Sequence, residues 1–295
     1  KLAQQKSVDV LATNTYYTFS CGPIDLDLVF TAPMLMDDYD LLSMPINYVS
    51  YQVHSTDGKA HKVDFYLSAS PRIAVNKVNQ PTISSSVIQK GVQYLKTGTV
   101  DQPILAKKGD GISIDWGYFY LPNINGSVCL DNDLAVKESF LSNGTLPTGT
   151  QEVVSRKPST MPTLAYVHNF GSVTSPVSSY TMVGYDEIWD IEYMYKRYKA
   201  YWAHDGKVSI FDAFDRMNRD YASIMTKCRA LDKQIYDDGL ASGNEKYAEI
   251  LSGSYRHVIA AHKLFKDDEG NLLFFSKENN SNGCVNTVDL TYPEA

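Results

Sequence analysis

The chain has 295 residues, enough for two domains at roughly 150 residues each. Its 43% hydrophobic and 21% charged content fits a packed protein and excludes global disorder. A formal net charge of −7 without any basic block argues against a nucleic-acid binder, and there is no run of about 18 apolar residues to span a bilayer.

Up to about Tyr185 the pattern is β. Asp25–Phe30 alternates, Tyr48–Val53 is aromatic and β-branched, and His61–Leu67 alternates again. Asp57-Gly58 between the last two predicts a hairpin joining them. Further strands are expected near Val87–Leu95, Gly111–Leu121 and Thr163–Phe170, in a sandwich-like domain. Residues Leu141–Pro162, rich in Ser, Thr, Gly and Pro, read as a surface loop within this half.

From Asp186 the period becomes helical. Ile188, Ile191, Tyr195, Tyr198 and Trp202 fall at three- and four-residue spacing and predict a first helix. A second carries Ile210, Phe214, Met217, Tyr221, Ile224, Cys228, Leu231 and Ile235 on one face, with Ser209 and Asp212 in capping-box form at its start. A third follows Gly243, with Tyr247, Ile250, Ser254, Val258, Ala261 and Phe265 inward. Asp205-Gly206 and Asp238-Gly239 are the expected breaks, and extended structure returns at Leu272–Phe275. The aromatic stripes suit packing against further helices, as in layered α/α folds.

Four scattered cysteines (Cys21, Cys129, Cys228, Cys284) form no CxxC pair. Zincin, Rossmann, P-loop and α/β-hydrolase motifs are all missing. His257 and His262 lie five apart, a poor spacing for a shared metal. The carboxylate candidates are Glu278 and Asp289, in a polar string where two acids across a cleft could divide the proton transfers of a hydrolysis. Lys277 stands beside the first of them. Asp186 opens the predicted first helix with Glu187 and Asp190, where the helix dipole alone favours acids. It also lies where the two halves meet, a common ligand position.

Asp115-Trp116-Gly117-Tyr118 reads either as a ligand platform or as a buried sheet segment, with Gly117 marking a close backbone approach or a bulge. Arg256 could anchor a carboxylate of a substrate or of the protein itself.

Several strings resemble the glutaminase A family. They are Thr13-Asn-Thr-Tyr16, Ser43-Met-Pro-Ile-Asn-Tyr48, Asp115-Trp-Gly-Tyr118, Gly184-Tyr-Asp186, Ala200-Tyr-Trp202, Ser254-Tyr-Arg256 and, most specifically, Ser276 through Pro293. The Asn-Asn-Ser-Asn-Gly form of the last resembles bacterial members of the Bacteroides kind. The resemblance implies a secreted or periplasmic α+β protein, with an N-terminal β-sandwich (1–185) followed by the first antiparallel helices (186–295) of an incomplete (α/α) toroid of six hairpins. It further implies hydrolysis of L-glutamine to glutamate and ammonia, with a glycosidase on the same architecture and a non-catalytic binding fragment as the alternatives. Glu278, Asp289 and Asp186 are the expected catalytic residues. Lys277, Arg256, Asp115, Trp116 and Tyr118 are the expected substrate-binding ones. The expected partners are a small molecule (glutamine or a glycan) and the rest of the same helical domain; no cofactor, metal, nucleic acid or transmembrane segment is implied.

Overall fold

The computed structural model describes residues 2–107, 109–277 and 284–287. Strands β1 (Gln4–Val10), β2 (Asn14–Ser20) and β3 (Ile24–Thr31) lead through a short helix, α1 (Tyr39–Ser43), to β4 (Ile46–Ser55) and β5 (His61–Ala69). Then come β6 (Thr82–Gln89), β7 (Val92–Thr99), β8 (Tyr118–Pro122), β9 (Ser127–Asp131), helix α2 (Asp133–Asn143), β10 (Glu152–Ser155), β11 (Thr163–Val173) and β12 (Val177–Asp186). A small hairpin, β13 (Ile191–Tyr193) with β14 (Lys196–Tyr198), precedes the long helix α3 (Ile210–Ser242) and α4 (Glu245–Ala260). A second hairpin, β15 (His262–Lys266) with β16 (Leu272–Ser276), follows.

All strand pairings among the described residues are antiparallel. Nine strands form one sheet in the order β1-β2-β3-β4-β12-β8-β7-β6-β10, and three form another in the order β5-β11-β9. Strand alternation sends successive side chains to opposite faces, and both faces of the large sheet are used. Tyr51, Leu95, Phe119 and Leu121 pack with Phe65, Leu130, Leu164 and Tyr166 of the small sheet. On the other face Ile46, Tyr48, Tyr94, Tyr120 and Met182 pack with Ile210, Phe214, Met217 and Ile224 of α3. The architecture is an antiparallel β domain followed by helices, and α3 forms a third layer over the sandwich. None of the described helices is long and apolar enough to cross a membrane.

Several expectations need correction. Asp57-Gly58 does not join a hairpin, because β4 pairs with β3 and β12 while β5 pairs with β11. The turn carries the chain from one sheet to the other, with Asp57 accepting from Ser55, Lys59 and His61. The stretch Val87–Leu95 contains the reversal between β6 and β7, at Lys90-Gly91, where both residues have positive φ. Only Tyr118–Pro122 of the expected Gly111–Leu121 strand is extended in the sheet. Within Leu141–Pro162, β10 adds an edge strand to β6.

The predicted helix from Asp186 is absent. Ile191–Tyr198 instead forms the β13–β14 hairpin, and a single 3-10 turn follows at Tyr201–Ala203. The aromatic stripe of α3 lies on the sheet rather than on further helices. Its capping box forms as predicted: the Ser209 hydroxyl accepts from the Asp212 amide, and the Asp212 carboxylate accepts from the Ser209 amide. The helix runs through Asp238-Gly239 to Ser242. A β-carbon on Gly239 would come within 2.5 Å of the Ala248 Cα of α4, so the glycine allows close helix contact instead of ending the helix. In α4 the buried positions are Ala248 and Ser252, while Tyr247 and Ile250 are exposed and Phe265 belongs to β15.

The helices are fastened to the sheet through residues 12–15. Asp232 of α3 is buried and accepts from the Thr13 amide (2.6 Å), the Thr13 hydroxyl (2.9 Å) and the Asn14 side-chain amide (2.6 Å). Arg256 of α4 donates to the Ala12 carbonyl (3.3 Å) and the Thr15 hydroxyl (2.6 Å). Buried donors left without an acceptor are costly. Replacement Asp232→Ala should therefore lower unfolding free energy by about 3 kcal/mol, against a change within about 0.5 kcal/mol for the exposed Asp237→Ala control. Urea unfolding of both checks this, and equal midpoints would remove the clasp from the account.

Candidate functional site

Chain segments that are distant in sequence meet where β12 ends. Asp186 closes β12, and its carboxylate accepts from the Ile188 amide at 2.9 Å, folding residues 186–190 into a tight turn in which Ile188 has φ 64°. The Asp115–Tyr118 string fits against that turn. A β-carbon on Gly117 (φ 76°) would sit 2.2 Å from the Asp186 carbonyl oxygen and 2.9 Å from the Glu187 Cα, so only glycine allows this approach. The Trp116 indole donates to the Trp189 carbonyl at 3.1 Å, and Tyr118 pairs with Asp186 across the sheet.

The turn presents Glu187 and Asp190 to the β15–β16 hairpin. There Lys263 places its ammonium 2.5 Å from Glu187 Oε1 and 2.8 Å from Asp190 Oδ1. Asp190 is only 3% exposed, and among the described residues its oxygens accept no well-formed hydrogen bond besides this ion pair. Burial pushes the Glu187 carboxyl up to about 7; the Lys263 charge opposes the rise and the Asp190 charge adds to it. Burial works against the charge on Lys263, but Asp190 and Glu187 together outweigh it and hold the ammonium above the ordinary lysine range. Lys277, just past β16, is lowered by burial and then by the Lys263 charge.

Asp190 and Lys277 share a cleft of about 410 Å³ whose walls include Trp116, Ile191 and Tyr195. Behind Asp190, a second cavity of about 300 Å³ reaches Glu187 and Lys263. The acid pair therefore stands between two cavities, with Asp190 facing both.

The residues singled out from sequence are distributed as follows. Trp116 and Lys277 line the cleft, and Asp186 shapes the acid turn. Asp115 is buried next to the cleft, where Lys107 and the Gln80 amide occupy its carboxylate. Tyr118 lies under the Lys96 ammonium, 3.6 Å from its ring centroid. Arg256 is bound at residues 12 and 15, as described above, and is not part of the cleft. Glu278 and Asp289 lie outside the described residues. Sequence reasoning passed over Glu187, Asp190 and Lys263 as site residues, because the helix expected at 186 explained both acids as favourable charges at a helix start. The alternation Ile191-Glu192-Tyr193 was the signal that a strand begins there.

The family described as Domain of unknown function (DUF5127) matches residues 13–238, and the Glutaminase A six helical-hairpin domain matches residues 244–295. Glutaminase A of Aspergillus oryzae (strain ATCC 42149 / RIB 40) is 25% identical over 303 residues, covering 98% of this chain and 43% of that protein. The chain thus spans less than half the length of that curated relative. On the family matches and this similarity, the chain belongs to the glutaminase A-like family.

Proposed function

We propose that the chain forms part of a hydrolase of the glutaminase type, which releases ammonia from a small carboxamide with water as co-substrate. The observation that carries this reading is the pair of carboxylates, Glu187 and Asp190, held on one half-buried lysine, with Asp190 lining a cleft. Amide hydrolysis needs a group that takes a proton from water and a group that returns one to the departing nitrogen. Glu187, which keeps its proton up to about 7, can return one, and the neighbouring Asp190 carboxylate can take one.

In this mechanism Asp190, facing the cleft, accepts a proton as water attacks the amide carbon and the carbonyl electrons move onto oxygen. Lys277 donates a hydrogen bond to that oxyanion. Its collapse breaks the carbon–nitrogen bond, and the proton held by the Asp190–Glu187 pair goes to the leaving nitrogen. Lys263 keeps the pair in place and limits its net charge. The alternative of a glycoside hydrolase calls for two carboxyls flanking the scissile bond, whereas Glu187 and Asp190 meet one ammonium and only Asp190 of the two lines the cleft.

Ammonia release from L-glutamine and from N-blocked L-glutamine, by this chain and by one extended to the length of the Aspergillus relative, tests the reading. Asp190→Asn should lower kcat/KM by about 100-fold or more. Activity should fall as pH rises through about 7, where Glu187 loses its proton, and Glu187→Gln should abolish that limb. Undiminished rates in Asp190→Asn, or no ammonia from any of these amides with either chain, would overturn it.

The same group makes a stability prediction. The folded chain keeps the Glu187 proton up to about 7, whereas the unfolded chain releases it from 4.5 upward. Folding then binds a proton across that window, so stability relative to Glu187→Gln should decline as pH rises from 4.5 to about 7 and level off above it. Urea midpoints of both proteins across this range give the difference directly.

A further inference from the structure

Apolar side chains make up a continuous part of the cleft lining. Beyond Asp190 and Lys277 its wall is made of Leu105, Ile112, Ile114, Ile191 and Val285, with Trp116 among them. Two further charged residues line it, but Lys107 is engaged by Asp115 and Glu192 by Arg197. At the mouth stands the tip of the β13–β14 hairpin, where Met194 is 73% and Tyr195 is 99% exposed.

The tip is unusual in its residues. Met194 and Tyr195 occupy a two-residue connection with φ of 48° and 64°. Positive φ at both central positions is the pattern of a type I′ turn, in which Asn-Gly sits without strain and large side chains do not. Two bulky apolar residues therefore hold an unfavourable backbone conformation while presenting their side chains to water at the edge of an apolar cleft. Neither packing among the described residues nor turn chemistry accounts for them.

Free glutamine would use this cleft poorly. It is small and zwitterionic. It would leave the aliphatic wall facing water, and the two carboxylates among the described lining residues, Asp190 and Glu192, are already held by Lys263 and Arg197. We propose that the ligand of the cleft is an N-blocked carboxamide, in which an apolar acyl or aryl group on the amine of a glutamine-like residue lies along the aliphatic wall under Met194 and Tyr195. This inference rests on the amide-hydrolase reading for its carboxamide end; the apolar end follows from the wall and the tip alone.

The test titrates this chain calorimetrically with N-carbobenzoxy-L-glutamine and with free L-glutamine, and follows ammonia release from both. The blocked compound should bind at least about tenfold more tightly, as expected for burying a ring and its linker on apolar surface. The double variant Met194→Asn with Tyr195→Gly restores the preferred turn, so its thermal midpoint should be unchanged or higher, while its affinity for the blocked compound falls about fivefold or more. Equal affinities for the two compounds, or full affinity of the double variant for the blocked one, would overturn the inference. Tighter, tip-dependent binding by this chain, with no ammonia release by it or by the extended chain, would support the cleft assignment and defeat the hydrolase reading. Ammonia release from both compounds at equal kcat/KM and equal affinity would do the reverse.

Discussion

The clasp between Asp232 and residues 13 and 14 is the contact on which the rest of the arrangement depends. A carboxylate taken out of water must be met by donors, and here a backbone amide, a hydroxyl and a side-chain amide converge on it. The same short segment, the start of β2, also receives Arg256 from α4. Both long helices are thus referred to one point on the sheet, 219 residues away in sequence in the case of Thr13 and Asp232. Because α4 ends where β15 begins, this fixes where Lys263 emerges. The site's lysine is placed by contacts made close to the end of the helix that precedes it.

Charge balance then decides the character of the seam. Two acids and two lysines share the seam, largely withdrawn from solvent. Each ion loses hydration on burial, and attraction restores it only where partners sit within contact distance. Lys263 meets both acids and stays charged. Glu187 is the group that yields, since it can take a proton and reduce the buried charge. A site in which one member carries its proton near pH 7 is what acid–base chemistry at neutral pH requires. Here that property follows from crowding three ions around one ammonium-sized space.

Much of the fold was legible because it is written locally. The capping box at Ser209 and the apolar stripe of α3 are contained within one helix, and the alternation of β3 and of β5 is contained within each strand. What failed was partnership. Asp57-Gly58 marks a chain reversal, and reversal is compatible with either pairing or a passage between sheets; the choice depends on β11, which arrives about a hundred residues later. The stripe of α3 shows that a helix face is buried but not what covers it. The inward set read for α4 failed because its close contact with α3 demands small residues, Ala248 and Ser252, which carry no hydrophobic signal.

The site was less legible than the fold, and one misread element explains most of the loss. The residues Ile188 to Trp202 happen to fall at helical spacing while forming a turn, a hairpin and a 3-10 step. Reading them as a helix made Glu187 and Asp190 look like ordinary acids at a helix start. The better clue lay elsewhere, in Asp115-Trp116-Gly117-Tyr118. Its glycine requires something to approach the backbone closely, and the partner proves to be the acid turn itself. Asp115 is neutralised by Lys107, Trp116 hydrogen-bonds the turn's carbonyl and Tyr118 pairs with its first residue. The string is therefore a mould for the acids rather than a set of reacting groups. A string of unlike residue types within a strand can be functional through the backbone geometry it imposes on a neighbour, which a search for reactive side chains passes over.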